Sequence, residues 1–581
     1  MNINKISLMI GGEAGAGISR SGFLFAKACL RGGLQVFGTN DYQSLIRGGH
    51  NFYIVRVDSE EIFSQSESID LLLALNKETI LIHKDELVPQ GGIIYDGEDF
   101  TVSDEELGRE DINLYSVPLR QIVNKLKDKL IVRNTVGLGA IMSLMAFNLD
   151  HLIGVIKDTF NSKVADLNVK ALKMGWNFAQ KHFAEDHKYQ LSEQKIVKKH
   201  RVFLNGNEAI GLGALRAGCK FYVAYPMTPA TGLLHFMASL EREYGMIVVH
   251  AESEISAINM VAGASFAGVR AMTATSGGGF CLMSEGLGML GMTETPAVIM
   301  LAQRPGPSTG LPTYSGQGDL RFVIHASHGE FPRVVIAPGD VEECFYKTLE
   351  AFNLAEKYQI PVIILTDKYL VESYEGLKVF DVDRIGIDRG RYLRGKDYES
   401  EEEYQRHKFT RDGISPRAIP GMKGVIVRTN SNEHDENGYT TDNPELTIKM
   451  VNKRFRKRET LVKDLENYET VKLYGSMRAD ITLFGWGATK RPIREAMKRL
   501  SGEDLKINFL QIVYLDPFPT DKVRKMLQLA QKSIVVEENK TSQLSSLIRE
   551  HTLMTIDHEI LKYNGRPFNP LELSNRIKEV L

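Results

Sequence analysis

At 581 residues the chain exceeds what one hydrophobic core supports, so two to four domains are expected. It is 43% hydrophobic and 25% charged, the balance of a globular protein, with 71 basic against 73 acidic residues and a net charge of −2. Near-neutrality excludes a global field that draws the molecule to nucleic acid or anionic lipid, so any polyanion site must be local.

The amino-terminal MNINKISLMIGGEAGAG holds one short apolar run, too brief for the core of a signal peptide. No apolar stretch approaches the roughly 18 residues of a membrane span, and a cytoplasmic location is expected. The four cysteines, at 29, 219, 281 and 344, form no CxxC pair. That usage suggests a reducing compartment and excludes a local zinc knuckle or a self-contained iron–sulfur cluster; no metal site is expected in this chain.

Residues 5–12 read as a buried strand, GGEAGAG as the turn after it, and SRSGFLFAKACLRGG as a helix capped by Gly32 and Gly33. LQVFGTN is a second strand. NTVGLGAIMSLMAFNLDHLIGVIKDTF and KVADLNVKALKMGWNFAQKHF are apolar at helical spacing, completing an α/β unit over 1–190. A linker at 191–199 leads to a second unit over 200–385. There FYVAY, MIVVHA, AMTAT, AVIMLAQ and IPVIILTD alternate with helical segments, the pattern of a parallel sheet covered on both faces. Residues 386–474 are crowded with charge and read as an exposed connector containing one helix, with KRFRKR, Lys453 to Arg458, as a solvated helix face. From ADITLFGW onward the alternation resumes, giving a third α/β unit over 475–581.

GGEAGAG, Gly11 to Gly17, offers backbone amides where a strand meets a helix, but its spacing is not G-x-G-x-x-G. A tight turn is the plainer reading and a nucleotide loop the alternative. RGGHN, Arg47 to Asn51, reads as a surface turn or a subunit contact, and HDE at 434–436 as a loop rather than a metal site. The chemistry concentrates elsewhere. YPMTP places Thr228 between two prolines that fix the backbone on both sides. HAESEISAI places Glu254 at the mouth of a small-residue helix, where partial burial would suit it to hold or pass a proton. TSGGGF puts three glycines after a strand, and QRPGPSTGLPTYSGQGDL holds Arg304 near Ser308 and Thr309 in a proline-stiffened loop matched to a carboxylate. Thr228, Glu254, Thr275 and Arg304 all fall at or just past strand carboxyl ends, where open parallel sheets bind ligands.

Together YPMTPAT, ESEISAI, TSGGGF and QRPGPSTGLPT resemble the α subunit of 2-oxoacid:ferredoxin oxidoreductases. Met227 departs from the family's usual Tyr-Pro-Ile-Thr-Pro. Residues 1–190 resemble the family's γ domain, fused ahead of the thiamine diphosphate pyrimidine-binding domain, and LFGWG, YLDPFP and VVEEN resemble a transketolase-C-terminal-like domain. The resemblance implies coenzyme A-dependent oxidative decarboxylation of a 2-oxoacid, with two electrons passing to ferredoxin. It implies that Glu254 hydrogen-bonds the aminopyrimidine so that its imino tautomer deprotonates the thiazolium carbon, with Tyr225 and Pro226 beside the cofactor. Thr228 would face the 2-oxoacid, and Arg304 with Thr309 would hold its carboxylate.

The sequence contains no Gly-Asp-Gly motif for Mg²⁺ and diphosphate. The resemblance therefore implies a β subunit bringing diphosphate, Mg²⁺ and a [4Fe–4S] cluster, an active site shared with it, and a dimer of such pairs. The fused γ–α chain and SLIRGGHN resemble 2-oxoglutarate-using members more than pyruvate-specific ones, with pyruvate or branched 2-oxoacids as alternatives. A nucleotide-binding or assembly subunit using GGEAGAG is the competing class, and a transketolase-like transferase is disfavoured by the Arg304 loop.

Overall fold

The computed structural model describes residues 2–45, 48–126, 132–184, 188–194, 201–393, 402–502 and 505–580. The chain forms two compact units. The first comprises Met1–Leu204 with Ser373–Val379 and Asn569–Leu573; the second comprises Asn205–Glu372, Phe380–Phe568 and Ser574–Leu581.

The first unit is built on an eight-stranded mixed sheet with Ile6–Ala14 near its centre, parallel to Ile69–Ala74 and antiparallel to Gly48–Asp58. The strand read at 5–12 thus runs through Ala14, taking Gly11 and Gly12 of GGEAGAG into the sheet. A Cβ at Gly11 would press into the Thr79 side chain, so that glycine is a packing requirement. Only Gly15 and Gly17 adopt positive φ, 84° and 78°, in a tight turn that starts helix Ile18–Arg31. The first apolar segment read as helical divides into two helices, Arg133–Leu144 and Leu149–Thr159, and the second becomes Ser162–His182. Arg133–Leu144 and Ser162–His182 cross through paired glycines, since a Cβ at Gly139 would meet the Leu172 carbonyl and one at Gly175 the Val136 carbonyl. Arg47 lies outside the described residues, as do 195–199 of the linker.

Strand Tyr374–Lys378, which falls within the segment read as the second unit, instead pairs antiparallel with Gln35–Asp41 in the first. Gly376 allows the approach, because a Cβ there would lie 2.6 Å from Leu30 Cδ1.

The second unit holds two sheets. One has seven strands in the order Ile247–His250, Phe221–Ala224, Ala271–Thr275, Ala297–Gln303, Pro361–Asp367, Val334–Ile336 and Tyr514–Asp516. The first six are parallel, and Tyr514–Asp516, contributed from the carboxyl-terminal segment, adds an antiparallel edge. Three of the central strands, Ala271–Thr275, Ala297–Gln303 and Pro361–Asp367, are buried at every residue, which is why they read as continuous apolar runs without alternation. The other sheet has five strands, ordered Val471–Tyr474, Ile507–Ile512, Ile481–Gly485, Lys532–Glu537 and His558–Leu561.

The charged segment contains the expected helix, Pro444–Asp464, but KRFRKR is not a solvated face. Lys453, Arg454 and Lys457 are buried, and Lys453 Nζ and Lys457 Nζ each stand 2.5 Å from the carboxylate of buried Glu294. His407 Nδ1 lies 3.0 Å from the same carboxylate. Burial alone would raise the Glu294 carboxyl, but the two lysines hold it well below its ordinary range. Cations three and four apart share one helical face, so a run that looks uniformly solvent-directed clamps onto a single acid. Lys453→Met leaves that carboxylate short of a partner and is expected to destabilise the protein by about 3 kcal/mol, read as a lower thermal midpoint of the purified protein.

Candidate active site

In the seven-stranded sheet the chain runs from Phe221–Ala224 outward to the edge strand Ile247–His250, then returns to Ala271–Thr275 on the other side and continues away. The crevice between Phe221–Ala224 and Ala271–Thr275 is therefore the topological switch point, the place where an open α/β sheet leaves room for a ligand. YPMTPA follows the first of these strands, TSGGG follows the second, and helix Glu254–Phe266 connects the edge strand back across them.

Thr228 and Arg304, 76 residues apart, meet here: Arg304 Nη1 donates to the Thr228 carbonyl at 2.8 Å. The prolines leave that carbonyl at a turn where no strand partner claims it. Behind the turn, Asn207 Nδ2 donates to the Pro229 carbonyl at 3.2 Å, and Ala230 N–H to the Met227 carbonyl at 2.8 Å. Met227, the departure from the family motif, places its sulfur 3.9 Å from the Thr275 hydroxyl, a contact between strand ends that a branched aliphatic side chain could not make through a sulfur acceptor.

Glu254 is the first residue of its helix, and Ser253 caps that helix by accepting from Ser256 N–H at 3.2 Å. The Glu254 side chain is buried at 2% exposure, and its Oε1 has no hydrogen-bond partner. A buried carboxylate oxygen left without a donor costs free energy and asks for a ligand N–H or O–H to complete it. The glycines of TSGGGF make its surroundings possible. A Cβ at Gly279 would run into both the Thr275 hydroxyl and the Glu254 carboxylate, and one at Gly277 would lie 2.6 Å from Asp319 Oδ2, whereas Gly278 faces open space. Two of the three glycines thus let the short helix Gly277–Leu282 close down on acids, and the third borders the crevice.

The Arg304 loop leaves the strand Ala297–Gln303 and returns to its starting point. Gln303 Oε1 accepts from Asp319 N–H at 3.0 Å, and Gln303 Nε2 donates to the Thr366 carbonyl at 3.0 Å, so one buried glutamine ties the two ends of the loop to the sheet. Near the tip Leu311 N–H bonds the Pro305 carbonyl at 2.9 Å across Gly310, whose φ is 53°. Further along, Gln317 Nε2 donates to the Trp486 carbonyl at 2.9 Å, and Gln317 Oε1 accepts from Glu538 N–H at 3.0 Å. Burial lowers the Arg304 guanidinium, and Asp319 draws it back up.

Among the residues singled out from sequence, Thr228, Thr275, Glu254 and Arg304 thus gather around one crevice. Tyr225 is exposed beside it, its ring 6.4 Å from that of His250, and Pro226 and Thr228 are half-buried. Ser308 and Thr309 lie exposed at the loop tip, on the far side of Pro305 from the Thr228 hydrogen bond. Gln303, Asp319 and Gln317 went unread in the sequence, although Gly-Asp directly before a helix in GQGDL was a usable signal. His434 of HDE is buried with its ring 4.0 Å from His407, a packing role. No group of three or more His, Cys, Asp or Glu placed to hold a metal occurs among the described residues.

Family models describe residues 7–178 as pyruvate ferredoxin/flavodoxin oxidoreductase, 212–453 as the thiamine diphosphate-binding part of pyruvate flavodoxin/ferredoxin oxidoreductase, and 479–572 as pyruvate:ferredoxin oxidoreductase core domain II. The 2-oxoacid:ferredoxin oxidoreductase subunit alpha of Sulfolobus sp is 33% identical, the alignment covering 99% of this chain and 97% of that one. The chain belongs to the 2-oxoacid:ferredoxin oxidoreductase alpha subunits. A solved 2-oxoglutarate:ferredoxin oxidoreductase from Magnetococcus marinus, with 2-oxoglutarate, coenzyme A and succinyl-CoA bound, superposes with a TM-score of 0.90 at 35% identity, covering 99% of each chain. The 2-oxoglutarate synthase subunit KorA of Methanothermobacter thermautotrophicus is 35% identical over 64% of this α subunit and 97% of its own length. The family is one of thiamine diphosphate-dependent oxidoreductases, and the crevice just described falls within the thiamine diphosphate-binding match.

Proposed function

We propose that this α subunit takes part in the oxidative decarboxylation of 2-oxoglutarate, forming succinyl-CoA and carbon dioxide and passing two electrons to ferredoxin. Under this reading a β subunit carries the diphosphate and Mg²⁺ site and a [4Fe–4S] cluster, and pairs of the two chains dimerise. The observation that carries the proposal is the meeting of Arg304 with Thr228 at the same switch-point crevice that holds the unpartnered carboxylate oxygen of Glu254.

The residues present fit the pyrimidine end of thiamine diphosphate. Glu254 Oε1 offers a buried acceptor to a ring N–H, and the glycines at 277–279 bring backbone close without side chains in the way. When bound, thiamine diphosphate supplies the nucleophilic carbon and the electron sink. Glu254 holds the proton at the pyrimidine ring nitrogen, fixing its tautomer, and burial makes that hydrogen bond strong. Arg304, anchored by one Nη1 on the Thr228 carbonyl, keeps its other N–H groups for the substrate carboxylate, and the Thr228 side chain orients the ketone. Tyr225 and Pro226 line the cofactor's approach, whereas Thr309, exposed at the loop tip, is assigned to the carboxylate by the family resemblance alone.

For the substrate, the similarity to the Magnetococcus and Methanothermobacter proteins favours 2-oxoglutarate, whereas the Sulfolobus relative is named for 2-oxoacids at large. The test is acyl-CoA formation by the co-purified complex with 2-oxoglutarate, pyruvate and a branched 2-oxoacid in parallel. A kcat/KM for 2-oxoglutarate at least tenfold above the others is expected. Equal or higher values for pyruvate overturn the substrate assignment.

A further inference from the structure

Asp319 closes the loop that Arg304 opens, and the same buried Gln303 ties both ends together. Its Oδ2 is buried without a hydrogen-bond partner among the described residues, and a side chain at Gly277 would press against it. Arg304 at the strand end and Cys281 on helix Gly277–Leu282 are the charged and titratable groups that interact with it. A second carboxylate, on the residue whose backbone is tied to the Gln303 side chain, thus lies within electrostatic reach of the guanidinium already assigned to the substrate. We propose that Asp319 is the resident counter-charge of Arg304, and that docking of the 2-oxoacid carboxylate on Arg304 drives one proton from solvent onto Asp319, making substrate binding proton-coupled.

The argument rests on the reading in which Arg304 holds the substrate carboxylate. Two carboxylates sharing one guanidinium in a half-buried crevice repel each other, and the cheaper state neutralises the one that water reaches least. Burial already raises the Asp319 carboxyl to about 6, against the pull of Arg304. Substrate, adding a like charge and spending part of the Arg304 field, raises it further. The sign follows: below about 6 Asp319 is protonated in both states and affinity is independent of pH. Above that value binding must take up a proton, and affinity falls with rising pH until the proton no longer binds in the complex. No bond besides O–H forms or breaks.

The experiment measures, on the assembled complex, the inhibition constant of N-oxalylglycine, or of oxamate should the complex prefer pyruvate, from pH 5.5 to 8.5. These mimics carry the 2-oxoacid carboxylate on an amide that is not attacked. For the wild type the constant is expected to be flat at the acid end and to rise by up to about tenfold per pH unit above the Asp319 midpoint. Asp319→Asn is expected to remove that slope and to bind more tightly than wild type at pH 8.5. Asp319→Glu, which restores a titrating group, keeps a slope with a displaced midpoint and serves if the Asn variant does not fold. An unchanged slope in Asp319→Asn overturns the proposal while leaving the Arg304 assignment standing. Unaltered inhibitor affinity in Arg304→Ala overturns both.

Discussion

Glu254→Gln in the assembled complex is expected to lower turnover by about 10²–10⁴-fold, the range typical for loss of a positioned proton-handling group. The substitution keeps shape and volume, so packing around Gly279 and Thr275 survives. What changes is the sign of the group: an amide places a partial positive charge or a weak acceptor where a carboxylate stood. The burial that makes this costly comes from the helix Gly277–Leu282, which closes over Glu254 with no side chain at Gly279. Because Glu254 Oε1 lacks a partner among the described residues, the Gln variant loses no hydrogen bond seen at that atom, and the thermal midpoint of the cofactor-free protein should not fall. Calorimetric titration with thiamine diphosphate separates binding from chemistry. Full turnover with unaltered cofactor affinity would falsify the proton role.

The second large effect is at Arg304. Arg304→Ala is expected to reduce kcat/KM for the 2-oxoacid by about 10²–10³-fold, corresponding to about 3–4 kcal/mol, because it removes a charge-assisted pair from a partly desolvated crevice. It also strips the Thr228 carbonyl of its donor, so the turn that presents Thr228 loses a hydrogen-bonded link to the loop. Arg304→Lys keeps the charge but not the two-pronged donor geometry, and should recover a minor part of the loss. Steady-state kinetics with saturating coenzyme A distinguish the two variants. Wild-type kinetics in the alanine variant would remove the carboxylate assignment, and with it the substrate chemistry drawn from the loop.

Much of this site was legible in one dimension because each part is a local signal. A buried parallel strand is a short continuous apolar run, and its end is punctuated by proline or glycine, so Tyr-Pro-Met-Thr-Pro, Thr-Ser-Gly-Gly-Gly and Gln-Arg-Pro-Gly announce strand ends by themselves. In an open parallel sheet, ligands bind outside the carboxyl ends of the strands, which sends the chemistry to those ends. Asp319 was legible as an acid before a helix but not as a neighbour of Arg304, since an acid there is an ordinary cap; its meaning depends on a loop that doubles back. Thr309 illustrates the converse, being in the same short loop sequence as Arg304 yet exposed at the loop tip.

The sequence by itself determined the α/β class, five strands of the seven-stranded sheet, the helical character of 134–160 and 163–183, and the family, because periodicity and turn chemistry act over a few residues. Only the tertiary structure decided which distant parts share an environment. It took Tyr374–Lys378 into the first unit's sheet and Tyr514–Asp516 onto the edge of the seven-stranded one. It turned Lys453 and Lys457 inward onto Glu294, 159 residues away in the case of Lys453, and joined Arg304 to Thr228. Hydrogen bonds and ion pairs of that kind depend on the path of the whole chain, and a charged side chain reads as solvated until the partner that buries it is in place.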